Sequence, residues 1–136
     1  MPKFSDQSLK ELATCHLDLQ ILFNEIIKYF DCTIIQGRRG EIEQNEAFKN
    51  GKSKLQYPDG KHNDIPSLAA DVASYPIYWS NTAQFYFFSG YVLGIAKLLK
   101  SQGKMQHDVR YGGNWDCDNQ VNHQSFNDLV HFELIL

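Results

Sequence analysis

The sequence predicts one compact α+β domain over residues 1–136, with a small, mostly antiparallel sheet packed against helices. Three observations carry that expectation. Apolar residues recur at helical spacing early in the chain and again late. Between and after those stretches lie short β-branched or alternating runs bounded by Gly, Pro and Asp. No repeat, linker or low-complexity tract divides the chain.

Taken in order, Ser8-Leu9-Lys10-Glu11 has the form of a capping box, so a helix is expected to start near Ser8. Leu9, Leu12 and Ala13, then Leu19, Leu22, Phe23, Ile26, Ile27 and Phe30, define its buried stripe. Thr14-Cys15-His16 are weak helix formers and break the stripe into two helices, with His16 at the boundary. Cys32 to Gln36 reads as a strand, Gly37-Arg38-Arg39-Gly40 as a turn, and Glu41 to Asn50 as a helix stopped by Gly51. At least one of the two arginines is placed to project over the strand end. A polar loop with the turn signal Pro58-Asp59-Gly60 leads to a second strand near Ala69 to Ala73. Ser80 or Asn81 can cap a helix from about Thr82 to Gln102, whose core stripe is Phe85, Phe88, Val92, Ile95, Ala96 and Leu99 and whose stop is Gly103. Val109-Arg110-Tyr111 leads into a glycine turn. An irregular polar stretch follows, anchored by Trp115 and Phe126, and Val130 to Leu136 alternates as a final strand.

Composition narrows the function classes. With 43% hydrophobic and 21% charged residues the chain is ordinary globular material. Sixteen acidic residues outnumber thirteen basic ones, which argues against a nucleic-acid partner. Cys15, Cys32 and Cys117 are odd in number, far apart and without Cys-x-x-Cys spacing, so they read as reduced thiols in a chain made in the cytosol. The first residues lack a signal-peptide core, and no run approaches the roughly 18 apolar residues of a membrane span. No membrane insertion is expected, and a target beyond the membrane would require another factor for delivery.

Asp71 is the chemical puzzle, a single carboxylate inside the apolar run Leu68 to Ala73. A buried carboxylate is costly unless it is hydrogen-bonded, paired or bound to a metal, and Lys61 is the one cation nearby in sequence. Two features stand out as possible metal or catalytic groups: His62 with Asp71, and the segment Asp128-Leu129-Val130-His131-Phe132-Glu133. Histidine and carboxylate ligands suit zinc, and three of them leave a fourth position open for water. His107 and His123 read as solvated. Glu133 shares a strand face with His131 and reads as a supporting group. Asp116, Asp118 and Asn119 lack the glycine and distal glutamate of an EF-hand calcium loop.

In combination and order these pieces resemble the zinc peptidases that include D-alanyl-D-alanine carboxypeptidases and the L-alanyl-D-glutamate endopeptidases of phage endolysins. The first motif of that family, Ser-x-His, a spacer and Gly-x-Ala-x-Asp, is matched by Gly60-Lys61-His62 and Ser67-Leu68-Ala69-Ala70-Asp71. Its second, an acidic residue three positions before a histidine, is matched by Asp128 and His131, and its upstream Gly-x-Arg with a later Gln by Gly37-Arg38-Arg39 and Gln44. Gly60 stands where the family has serine and Ser67 where it has glycine. The spacer, with Pro66 inside it, is longer than in the shortest members; its His-Asn-x-x-Pro-Ser form favours the phage branch.

The resemblance implies His62, Asp71 and His131 as ligands of a Zn2+ at the sheet surface, with Asp128 as general base. It implies Arg39 as the cation for substrate or oxyanion, and Gln44 and Trp115 as weaker substrate-binding candidates. The expected activity is a phage-type endolysin hydrolysing stem-peptide amides of peptidoglycan, L-alanyl-D-glutamate first. The alternatives are D-alanyl-D-alanine carboxypeptidase and a non-catalytic zinc module that recognises peptide or glycan. A monomer is expected, synthesised in the host cytoplasm and dependent on a holin or other permeabilising factor to reach the wall. No separate wall-binding module is expected.

Overall fold

A computed structural model describes residues 2–121 and 127–136; the readings of His123 and Phe126 lie outside the described residues. The architecture is α+β, as the periodicity predicts. Helices α1 (Asp6–Leu12) and α2 (Leu17–Ile26) precede strand β1 (Cys32–Gln36) and helix α3 (Glu41–Lys49). A single 3-10 turn, Lys61–Asn63, leads to β2 (Ala69–Ser74), the long helix α4 (Thr82–Ser101), β3 (Asp108–Tyr111) and β4 (His131–Ile135). The strands form one antiparallel sheet in the order β1-β2-β4-β3.

The strand period of two sorts the side chains onto two faces. Ile34, Ala70, Val72, Phe132 and Leu134 point into the core, where they meet Leu19, Leu22, Phe23 and Ile26 of α2 and Phe88, Val92, Ala96 and Leu99 of α4. Each large side chain buried there stabilises the fold by about 1.5–3 kcal/mol. The opposite face of β2 and β4 carries Asp71, His131 and Glu133. In the register of those two strands Asp71 lies directly opposite His131.

Two expectations about the N-terminal helix require correction. Its cap is Ser5, whose hydroxyl accepts the backbone N–H of Ser8, so the helix starts earlier than the capping-box pattern indicates. Ser8 is instead buried inside the helix, and its hydroxyl accepts the N–H of Ile34 in β1. Leu9 is half exposed and Ala13 exposed, because the chain turns at Cys15 and α1 and α2 do not share one face. His16 begins α2 as its cap, its Nδ1 accepting the N–H of Asp18. Asn81 rather than Ser80 caps α4, and Gly103 ends that helix at φ +75°, a conformation that favours glycine.

His107 also departs from its solvated reading. Asp18, buried at the start of α2, accepts three N–H groups on one oxygen: the backbone of Gln106 at 2.9 Å, the backbone of His107 at 2.9 Å and His107 Nδ1 at 2.8 Å. His16, Asp18 and His107 are close enough to be considered as metal ligands. However, the Asp18 oxygen and His16 Nδ1 already accept protein N–H groups, so the cluster acts as a clamp between α2 and the approach to β3. Burial alone would raise the pKa of Asp18, but the His107 side chain and the two backbone donors outweigh it and lower that value.

Candidate metal centre and active site

β2 and β4 are neighbours at the centre of the sheet, and their register brings Asp71 and His131 together although 60 positions separate them in the chain. His62 arrives from the 3-10 turn just before β2. His62 Nε2 lies 3.2 Å from Asp71 Oδ1 and 3.2 Å from His131 Nδ1, and His131 Nδ1 lies 3.4 Å from Asp71 Oδ1. All three side chains are buried. The spacer residues Asp64, Ile65 and Pro66 are exposed, and the longer spacer leaves His62 and Asp71 together. Ser67 is buried, its hydroxyl turned back onto Ala69.

The far side of each ring settles which nitrogen carries a proton. His62 Nδ1 lies 2.7 Å from the carbonyl oxygen of Gly37, which can only accept, so that nitrogen is the donor. His131 Nε2 lies 2.8 Å from Glu133 Oε1 and donates to the carboxylate. Both remaining ring lone pairs then face Asp71 Oδ1. With both rings neutral, these three converging acceptors are a donor set for a cation, and two imidazoles with one carboxylate suit a divalent transition metal. These residues therefore could hold a metal ion.

The electrostatics agree with a site built for positive charge. Burial alone would raise the pKa of Asp71, but the two histidines hold it well below the usual carboxylate range. Burial alone would lower that of His131, yet its bonds to Asp71 and Glu133 push it up to about 9. Glu133 is held down to about 2, against its burial, by His131 and Arg110.

Asp71 has a cation, but from a different element than the sequence indicates. Lys61 pairs with Glu133 Oε2 at 3.2 Å and donates to the carbonyl of Leu134. Asp71 Oδ2 instead meets Arg39 Nη2 at 3.3 Å. Arg39 is aimed by Gln36, whose Oε1 accepts from Nε at 2.9 Å, and by Gln44, whose Oε1 accepts from Nη1 at 3.0 Å. Gln36 reaches this face through a β-bulge: Ile34 pairs with Val72, but Gln36 pairs with Asp71, one position out of regular register. The bulge leaves no mark in the strand pattern, and sequence reasoning missed Gln36 for that reason.

Gln44 is fully buried, and its Nε2 donates to Ser53 Oγ and the Leu55 carbonyl. Its amide thus braces Arg39 and the 53–55 segment. Gly60 explains its own departure from the family pattern. A Cβ there would sit 2.9 Å from Asn63 Oδ1 and 3.2 Å from Gln44 Oε1, where the two amides crowd together. Asn63 donates to the Arg39 carbonyl and to Gln44 Oε1, closing the network.

Asp128 stands just before β4, its Oδ2 3.9 Å from His131 Nδ1. Burial first and the charge of Asp71 second raise its pKa. Its backbone packs on Gly112, where a Cβ would meet the Asp128 carbonyl at 2.1 Å, so only glycine allows the approach. Arg39, Gln44, His62, Trp115, Asp128 and His131 all line one cleft of about 460 Å3. Trp115 stacks obliquely on His131, with ring centroids 5.4 Å apart, and Arg110 lies 5.3 Å over its indole. Arg110 also donates to Glu133 Oε2 at 2.8 Å, a role that its position in a short strand does not reveal.

A buried His, Asp, His cluster beside a carboxylate in an open cleft could hold a metal ion, and hydrolysis is a chemistry such a donor set suits. Residues 1–135 match the family model of the phage L-alanyl-D-glutamate peptidase, and the chain belongs to that family. It is a peptidase acting on the L-alanyl-D-glutamate bond of peptidoglycan. Of the activities left open by the resemblance, the family is that of the endopeptidase. Among solved structures the chain is similar to the L-Ala D-Glu endopeptidase ChiX of Serratia marcescens, with a TM-score of 0.64 and 19% identity over 98% of this chain and 90% of that one. That likeness shows a shared fold. No curated protein matches the chain. Among the described residues no helix is long and apolar enough to cross a membrane.

Proposed function

We propose that the chain is a zinc-dependent endolysin in which His62, Asp71 and His131 hold the ion and Asp128 moves the protons. The observation that supports this reading is the convergence of His62 Nε2, His131 Nδ1 and Asp71 Oδ1, all within 3.2–3.4 Å of one another, next to Asp128. A zinc ion supplies Lewis acidity, activating water and polarising the scissile carbonyl. Asp128 takes a proton from the attacking water and returns it to the leaving amine; a raised pKa suits a group that must do both. Arg39, aimed by Gln36 and Gln44, presents positive charge to the substrate carbonyl as its oxygen becomes an oxyanion. Trp115 forms a wall for the stem peptide, and Gln44 acts on substrate through the Arg39 and loop segments that it braces.

The protein is read as a monomer in which these residues form one catalytic domain, made in the host cytoplasm. It reaches the wall after a holin or other permeabilising factor opens the membrane. The decisive experiment pairs the metal content of purified protein with a muropeptide digest read by mass spectrometry. One zinc per chain and newly freed stem peptides that begin at glutamate are expected. Release of terminal D-alanine alone would mark a carboxypeptidase, and intact muropeptides with zinc-loaded protein would leave a binding module.

A further inference from the structure

Asp128 enters the site from a short turn rather than from a strand. His131 N closes that turn by donating to the Asp128 carbonyl at 3.1 Å. Two further bonds dock the turn on the residue after β3. Asp128 N donates to the Gly112 carbonyl at 2.9 Å, and Gly112 N donates to the His131 carbonyl at 2.8 Å. Between these ends lie Leu129 and Val130. The Val130 carbonyl is held by β2, where it accepts Val72 N at 2.8 Å.

Leu129 is held from the core side, by a side chain. Tyr111 Oη donates to the Leu129 carbonyl at 2.8 Å. Strand alternation puts buried Tyr111 in the core, whereas Arg110, one position earlier, lines the cleft. The Tyr111 ring stacks on Phe132 with centroids 5.1 Å apart. Gly113 crowds its edge, where a Cβ would meet Tyr111 Cε2 at 2.6 Å. The ring is thus seated in one place and delivers its hydroxyl to one carbonyl. Burial pushes the pKa of that hydroxyl up, so it stays protonated and remains a donor.

A buried tyrosine hydroxyl ordinarily finds a partner, and packing alone would explain the ring. The place of this partner adds something that packing does not require. The carbonyl belongs to the residue next to Asp128, inside the turn whose conformation aims the carboxylate. A catalytic group displaced by about 1 Å can lose about a hundredfold in rate.

We propose that Tyr111 is a positioning residue for the hydrolysis, its hydroxyl holding the Leu129 carbonyl so that the Asp128 carboxylate stays aimed beside His131. This inference rests on the reading of Asp128 as the proton carrier. Tyr111 is not among the residues that line the cleft, so it acts through Asp128 and not on substrate.

The test uses the zinc-loaded full chain, a muropeptide substrate and Tyr111→Phe, which keeps the ring and removes one donor. The kcat per bound zinc should fall by about tenfold, with KM and zinc content unchanged. Amide hydrogen exchange should quicken at Asp128 and His131 while the amides of α2 keep their protection. A double-mutant cycle then separates aiming from general loosening. In an Asp128→Asn background, Tyr111→Phe should change the residual kcat by less than about twofold. Gly113→Ala pushes the same ring from its edge and should show the same dependence on Asp128. Wild-type kcat in Tyr111→Phe, or an equal loss with and without Asp128, overturns the positioning role alone. Full turnover by Asp128→Asn overturns the proton-carrier reading and the positioning role with it.

Discussion

Glu133 Oε1 accepts the Nε2 proton of His131 at 2.8 Å, from two positions further along the same face of β4. That bond turns Nδ1, not Nε2, toward His62 and Asp71, and it raises the basicity of the ring. Lys61 and Arg110 hold the other oxygen of Glu133, so the carboxylate cannot swing away. Glu133→Gln keeps the shape and removes the charge. It should weaken zinc binding by about tenfold, read by competition with a chromogenic chelator at neutral pH. Unchanged affinity would show that the bond is incidental to metal binding.

Asp71 contributes the one anionic oxygen of the triad. Asp71→Ala should leave the purified protein with well under one equivalent of zinc by elemental analysis, and inactive. The wild type treated with a chelator should lose hydrolysis and regain it when zinc is restored. Full zinc occupancy in the variant would remove Asp71 from the ligand set.

Asp128 separates catalysis from metal binding. Asp128→Asn should lower kcat by at least about a hundredfold with zinc content unchanged. Retained turnover would require a different proton carrier.

Gly112 tests how Asp128 is seated. An alanine Cβ would lie 2.1 Å from the Asp128 carbonyl, so the backbone before β4 must shift. Gly112→Ala should reduce kcat severalfold or more, since a small misplacement of a catalytic group is costly, while His62 and Asp71 are untouched. Wild-type kcat in this variant would show that the position of Asp128 is not under that control.

The Asp18 clamp is a stability element with a defined pH sign. The folded-state pKa of Asp18 is lowered, so its contribution is fully present above the unfolded value near 4 and is lost as pH falls through the folded value. Asp18→Ala should cost about 2 kcal/mol at neutral pH, because three N–H groups lose their acceptor. Urea unfolding should show the gap between wild type and variant narrowing below about pH 4. A gap independent of pH down to pH 2 would assign the cost to packing instead.

Much of the fold was legible because it follows from local rules. β1, α3 and the long helix α4 fall where β-branching, amphipathic spacing and the stops at Gly51 and Gly103 place them. The residues of the candidate metal site stood out for another reason: their order resembles a family whose motifs keep fixed roles, and Asp71 is conspicuous as a carboxylate in an apolar run. The start of α1 was misread because Ser5 and Ser8 are both competent caps, and only the bond from Ile34 to Ser8 decides between them. His107 was misread because its partner, Asp18, is 89 positions away.

What the sequence determined by itself is therefore the set of elements, the apolar faces that make the core, and the identity of the residues able to bind metal. Those properties depend on spacing along the chain. The tertiary structure decided which groups support them: the Gly37 carbonyl behind His62, Gln36 turned by a bulge onto Arg39, and Arg39 rather than Lys61 beside Asp71. These are contacts between segments distant in sequence, set by strand register and backbone approach, and no local pattern of residues encodes them.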